Sequence, residues 1–117
     1  MLDKVRECNI QGTIYHFKFT NATIMKIEQK YSNYAKILEG AMTGEQFFTN
    51  AMRILSNCCI EKDWDETELA EALEPEQLGY EIPMLTTLVY LDYMGIDTEK
   101  EVDELENNKG NENTEKN

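Results

Sequence analysis

His16 is the one histidine of the chain, and Cys8, Cys58 and Cys59 are its three cysteines. A Ser–His nucleophile would have to draw on Ser32 or Ser56, and neither lies in the Gly-x-Ser-x-Gly elbow that exposes such a serine. An odd number of cysteines with two adjacent is a poor disulfide framework and suits a reducing compartment. Adjacent cysteines on a helix point in different directions, so Cys58 and Cys59 cannot converge on one metal ion. One or both read as small core residues. His16 reads as a surface or packing residue. The acidic run Asp63, Asp65, Glu66, Glu68 and Glu71 lacks the glycine and the later glutamate of an EF-hand loop. It reads instead as a helix start, where carboxylates are favoured by the free backbone N–H groups. Gly40 and Gly44 are not followed by the Lys-Ser/Thr pair of a phosphate loop. No catalytic set, metal site or cofactor site is expected, and the residues read as a non-enzyme.

Charge narrows the partners. The net charge is −12 over 117 residues. Residues 1–60 hold seven Lys+Arg against five Asp+Glu, a net +2, whereas residues 61–117 hold four against eighteen, a net −14. Phosphate backbones are bound by Lys and Arg that displace counterions, so nucleic acid is not expected as a ligand. A basic protein partner or simple solubility accounts better for the acidic half. No apolar run reaches the roughly 20 residues that span a bilayer, and Met1 to Glu7 carries charges where a signal peptide is apolar. The expectation is a cytoplasmic protein with no membrane contact.

The elements follow from pattern. Residues 2–8 read as a first strand, and Asn9-Ile10-Gln11-Gly12 as a turn. Residues 13–19 alternate, with Tyr15, Phe17 and Phe19 on the candidate core face. Thr20 or Asn21 caps a helix whose stripe is Ile24, Ile27, Tyr31, Tyr34, Ile37 and Leu38, with Gly40 as its stop. Thr43-Gly44-Glu45-Gln46 fits a capping box for a core helix from Phe47 to about Ile60. Asp65-Glu66-Thr67-Glu68 is a second capping box, for a short helix through Leu73. Residues 74–81 read as a loop or short helical turn. Pro83 suits the first turn of a helix over residues 84–94 that is apolar on nearly every side. A last acidic helix runs from Asp97 through Leu105, and residues 107–117 hold no apolar residue and read as disordered. The expected fold is α+β: an N-terminal β-hairpin packed on four to five short helices. It forms one globular domain over residues 1–106, with residues 107–117 as a tail.

This order resembles a known family. A short strand pair turns at Gly12, and Tyr15-His16-Phe17-Lys18-Phe19 leads into the helix Ala22-Thr23-Ile24-Met25-Lys26-Ile27-Glu28. A Leu38-Glu39-Gly40 end, a second apolar helix and the Asp65-Glu66-Thr67-Glu68-Leu69 start complete it. Over roughly residues 10–95 the chain resembles the tail assembly chaperones of long-tailed bacteriophages and prophages of Gram-positive hosts. The resemblance rests on element order and has no single diagnostic motif. It implies a non-enzymatic cytoplasmic role: binding the tape measure protein, helping tail tube subunits assemble around it, and absence from the mature virion. It carries over no catalytic residue and no fixed binding motif.

A holdase needs apolar surface for its client and charge to keep the complex in solution. The helix over residues 84–94 can supply the first, and the acidic half the second. Leu85, Leu88, Val89 and Tyr93, or a subset of them, are the candidate contacts to a client or to a second copy of the chain. The bland alternative places all four in the core. Two other functions compete: an acidic DNA mimic that inhibits a host nuclease or restriction enzyme, and a generic regulatory interaction domain.

Overall fold

A computed structural model describes residues 4–96. Strands β1 (Arg6–Ile10) and β2 (Thr13–Phe17) form an antiparallel hairpin. Five α-helices follow: α1 (Asn21–Tyr31), α2 (Tyr34–Thr43), α3 (Phe47–Leu55), α4 (Glu66–Ala72) and α5 (Ile82–Tyr93). A π-helical turn, Gln77–Glu81, runs directly into α5. The α+β architecture is the expected one. The acidic helix from Asp97 and the tail over 107–117 lie outside the described residues.

The hairpin closes on two residues. Ile10 pairs with Thr13, and both Gln11 (φ 54°) and Gly12 (φ 88°) take positive φ. That combination matches the right-handed strand twist, and glycine takes it at no steric cost. The side-chain oxygen of Asn9 accepts a hydrogen bond from the Gly12 N–H at 2.9 Å. The first strand therefore continues to Ile10, two residues beyond its expected end. Phe17 and Phe19 are buried and Tyr15 is half-buried, so the expected face is the core face. The outer edge of β2 is covered by residues 58–60: Lys18 N–H donates to Cys58 O at 2.9 Å, and Ile60 N–H donates to His16 O at 2.7 Å.

The long helix expected from residue 22 to Gly40 is broken in two. Ser32 takes φ 73°, its N–H still reaches Glu28 O, and Asn33 N–H turns back to Tyr31 O. Asn33 then caps α2, its side chain accepting from Lys36 N–H at 3.1 Å. The apolar stripe survives the break, since Ile27 and Ile37 are buried and Ile24, Tyr31, Tyr34 and Leu38 pack half-buried against the core. Gly40 is not a stop. It lies inside α2 and is buried, and a Cβ there would sit 2.1 Å from Asn50 Nδ2 and 2.6 Å from Glu45 O. The glycine leaves room against α2 for the Asn50 amide and the Glu45 carbonyl, which are joined by a hydrogen bond of 3.0 Å at the start of α3.

The capping box expected at Thr43–Gln46 is absent. Thr43 is the last residue of α2 and its hydroxyl donates to Glu39 O, while Gln46 precedes α3 in a left-handed conformation. Helix α3 ends at Leu55, short of Ile60, because 58–60 is drawn onto β2. It is nonetheless the central element. Ala51, Met52, Ile54 and Leu55 are buried, and α1, α2, α4 and α5 all pack on it. The second capping box is present as expected. Asp65 accepts from Thr67 and Glu68 N–H at 3.0 and 3.3 Å, and Glu68 accepts from Asp65 N–H at 3.4 Å.

Candidate interaction surface

Helix α5 divides the four candidate contact residues. Its inward face carries Ile82, Leu85, Thr86 and Val89, all buried. Leu85 and Val89 thus belong to the core, with Val89 at 1% exposure. Leu88 and Tyr93 are half-buried. Tyr93 stands in an aromatic cluster, its ring centroid 4.8 Å from that of Phe19, and its hydroxyl is hydrogen-bonded to Asn21. Tyr34 and Tyr90 pack on the same Phe19, and burial pushes the Tyr34 phenol up to about 12. Val89 and Tyr93 line a hollow beside Phe19 and Asn21, whereas Leu88 and the buried Leu85 line a separate groove.

That groove lies between the start of the hairpin and α5. It has a volume of about 640 Å³, and its lining includes Val5, Glu7, Tyr80, Glu81, Met84 and Leu88. Tyr80 is 81% exposed and Met84 62%, the two highest values among the exposed large apolar side chains of the described residues. Sequence reasoning missed both. A signal was present, since Tyr80, Met84 and Leu88 recur every four residues, but the sequence offers residues 74–81 as a loop or a short helical turn, and that turn continues into α5. Cys8 lies at the base of the groove. Its thiol donates to Glu81 at 3.5 Å, and burial first, then the Glu81 carboxylate, pushes it up to about 12. It is a neutral thiol at ordinary pH.

Arg6 joins the hairpin to α5. Its guanidinium makes a two-pronged contact with Asp92, at 2.7 and 2.8 Å. This forked geometry suits an arginine–carboxylate pair, and it neutralises a cation that also lines the groove.

The remaining chemistry-bearing residues are held in structural contacts. His16 is on the hairpin surface, hydrogen-bonded through Nδ1 to Glu61, with Glu7 3.6 Å from Nε2. The Glu61 hydrogen bond is the main cause of a His16 value raised above its ordinary 6.5. Glu61 is lowered in turn, chiefly because it accepts the His16 backbone N–H at 2.7 Å. These two carboxylates address opposite ring nitrogens, so they do not converge as metal ligands would. Cys58 is fully enclosed and burial raises its thiol, and burial also raises that of Cys59. All three cysteines are free thiols. In the acidic run, Asp65 and Glu68 form the cap of α4, Glu66 meets Arg53 at 3.3 Å, and Glu68 meets Lys62 at 2.9 Å. Among the described residues no group of three or more His, Cys, Asp or Glu side chains is gathered as a metal site requires. None of the described helices is long and apolar enough to cross a membrane.

No protein-family model matches the chain, and neither a curated protein nor a solved structure matches it. What the geometry defines is a small α+β fold in which a hairpin and five helices enclose one core. An open apolar groove runs along its last described helix.

Proposed function

We propose that the chain is a non-enzymatic tail assembly chaperone of a long-tailed bacteriophage or prophage. In this reading it acts in the host bacterial cytoplasm, binds the tape measure protein, assists assembly of the tail tube protein around it, and is left out of the mature virion. The observation that carries the reading is the apolar stripe of exposed Tyr80 and Met84 and half-buried Leu88 in a chain of net charge −12. Covering each of these side chains with a client would contribute about 1–2 kcal/mol by area removed from water. Methionine adds a flexible, polarisable contact that accommodates varied client side chains. The acidic surface would keep chaperone and client apart from other copies by repulsion.

The DNA-mimic alternative draws less support. It requires free carboxylates in phosphate-like rows, whereas Asp65, Glu66 and Glu68 are engaged in a cap and in ion pairs. Co-expression tests the chaperone reading. The partner to use is the tape measure protein that this reading expects to be encoded beside the chain. Its soluble fraction is expected to rise with this chain present, and an unchanged fraction would remove the proposal.

A further inference from the structure

We infer that the groove between the hairpin start and α5 binds a cationic amphipathic helix, with apolar side chains at its centre and Lys or Arg along its flanks. The inference rests on the client-binding reading and specifies the chemistry of the client segment. Three observations combine. The first is the spacing of the anchors: Tyr80, Met84 and Leu88 are each four residues apart. Met84 and Leu88 stand one α-helical step of about 6 Å apart, the step that separates i and i+4 on a helix laid alongside, and Tyr80 extends the row from the π-helical turn. The second is exposure. Tyr80 and Met84 are 81% and 62% exposed and Val5 is 38% exposed, so the apolar floor is open along its length.

The third observation is charge. Glu81 lines the groove together with Glu7, whose carboxylate also stands 3.6 Å from His16 Nε2, and Glu74 and Glu76 border the adjoining hollow that shares Tyr80 and Glu81. Arg6 is the cation in the groove lining, and Asp92 takes up its charge. An apolar floor with an acidic rim matches a ligand with an apolar face and a basic rim. The same rim argues against a second copy of this chain. A two-fold interface places one patch on itself, and would oppose carboxylate to carboxylate. Nucleic acid and anionic lipid are repelled for the same reason.

The test uses the full chain and a synthetic helical peptide of about 18 residues, long enough to pass all three anchors. Its apolar positions (i, i+3, i+4, i+7) are Leu and its remaining positions are Lys and Ala. Binding is read by fluorescence anisotropy, against a scrambled peptide of equal composition and a peptide with Glu in place of Lys. The first peptide is expected to bind, the other two to bind at least about tenfold more weakly, and affinity to fall as salt rises. Tyr80→Ser and Met84→Ser alter exposed side chains, so both variants should keep the wild-type circular dichroism and melting temperature. Each is expected to weaken the peptide about tenfold.

Equal binding of the scrambled peptide would show charge attraction alone and overturn the inference. Undiminished binding by both folded variants would overturn it too. Sedimentation showing a dimer that Met84→Ser abolishes would assign the groove to a second copy instead. The two readings fail separately. Peptide binding that depends on Tyr80 and Met84 with no rescue of the tape measure protein retains the groove and rejects the chaperone. Rescue that survives both serine variants rejects the groove and retains the chaperone.

Discussion

His16 and Glu61 form a surface pair whose effect on stability depends on pH in a stated direction. The His16 value is raised above 6.5 and the Glu61 value is lowered below 4.5. A raised histidine stabilises fully below its unfolded value and loses that contribution as pH rises through the folded one. A lowered carboxylate stabilises above its unfolded value and loses that contribution as pH falls through the folded one. Both contributions are therefore complete between pH 4.5 and 6.5. The difference in melting temperature between the wild type and Glu61→Gln should be largest in that window and shrink at higher pH. In an NMR titration, the His16 ring of the variant should titrate closer to 6.5 than that of the wild type. A difference that stays flat across the titration would remove the pair from the account.

Gly40 is a residue-scale feature of a different kind. An alanine Cβ would meet the Asn50 amide at 2.1 Å and the Glu45 carbonyl at 2.6 Å. The side chain can rotate away, but the carbonyl belongs to the backbone, so the loop that carries Glu45 must shift away from α2. Gly40→Ala should cost about 1–3 kcal/mol in denaturant unfolding. Adding Asn50→Ala should recover part of it, giving a double-mutant cost below the sum of the two singles. Strict additivity would show that the two helices do not meet as described.

Among the elements, α4 has the most readable boundary. Asp65 accepts two backbone N–H groups and Glu68 returns one bond, so Asp65→Ala should lower stability by about 1 kcal/mol, measured by chemical unfolding. A neutral result would mean that packing of the buried Leu69 alone holds this helix. The cap was legible because all its parts lie within four consecutive residues. The hairpin and the α5 start were legible for the same reason, through Gln11-Gly12 and Pro83. The break at Ser32–Asn33 was not, because the apolar stripe from Ile24 to Leu38 continues across it and stripe spacing is what a sequence displays. Gly40 looked like a stop since its purpose depends on Asn50, which arrives from another helix. Arg6 and Asp92 are separated by 86 positions, and no local pattern links them. Helix α5 is apolar on nearly every side, so its sequence does not say which face is covered. Only the placement of α3 and the hairpin leaves Met84 and Leu88 outward and takes Leu85 and Val89 inward.

At the scale of the whole molecule, α3 is the hub on which four helices pack, and the hairpin is tied to α5 by the Arg6–Asp92 pair. That tie fixes the separation of the two groove walls, one from the hairpin start and one from α5. The central claim is that a client occupies this groove rather than any other apolar patch. The methionines report on it directly, since Met25, Met42, Met84 and Met94 are exposed at 60%, 46%, 62% and 55%, while Met52 is buried. Methyl NMR of methionine-labelled protein, titrated with the tape measure protein, distinguishes them in one spectrum. The account predicts that the Met84 signal shifts or broadens first and most, with Met25, Met42 and Met52 unmoved. A Met84 signal that stays in place while the client binds, or the largest change at Met25 or Met42, would contradict it.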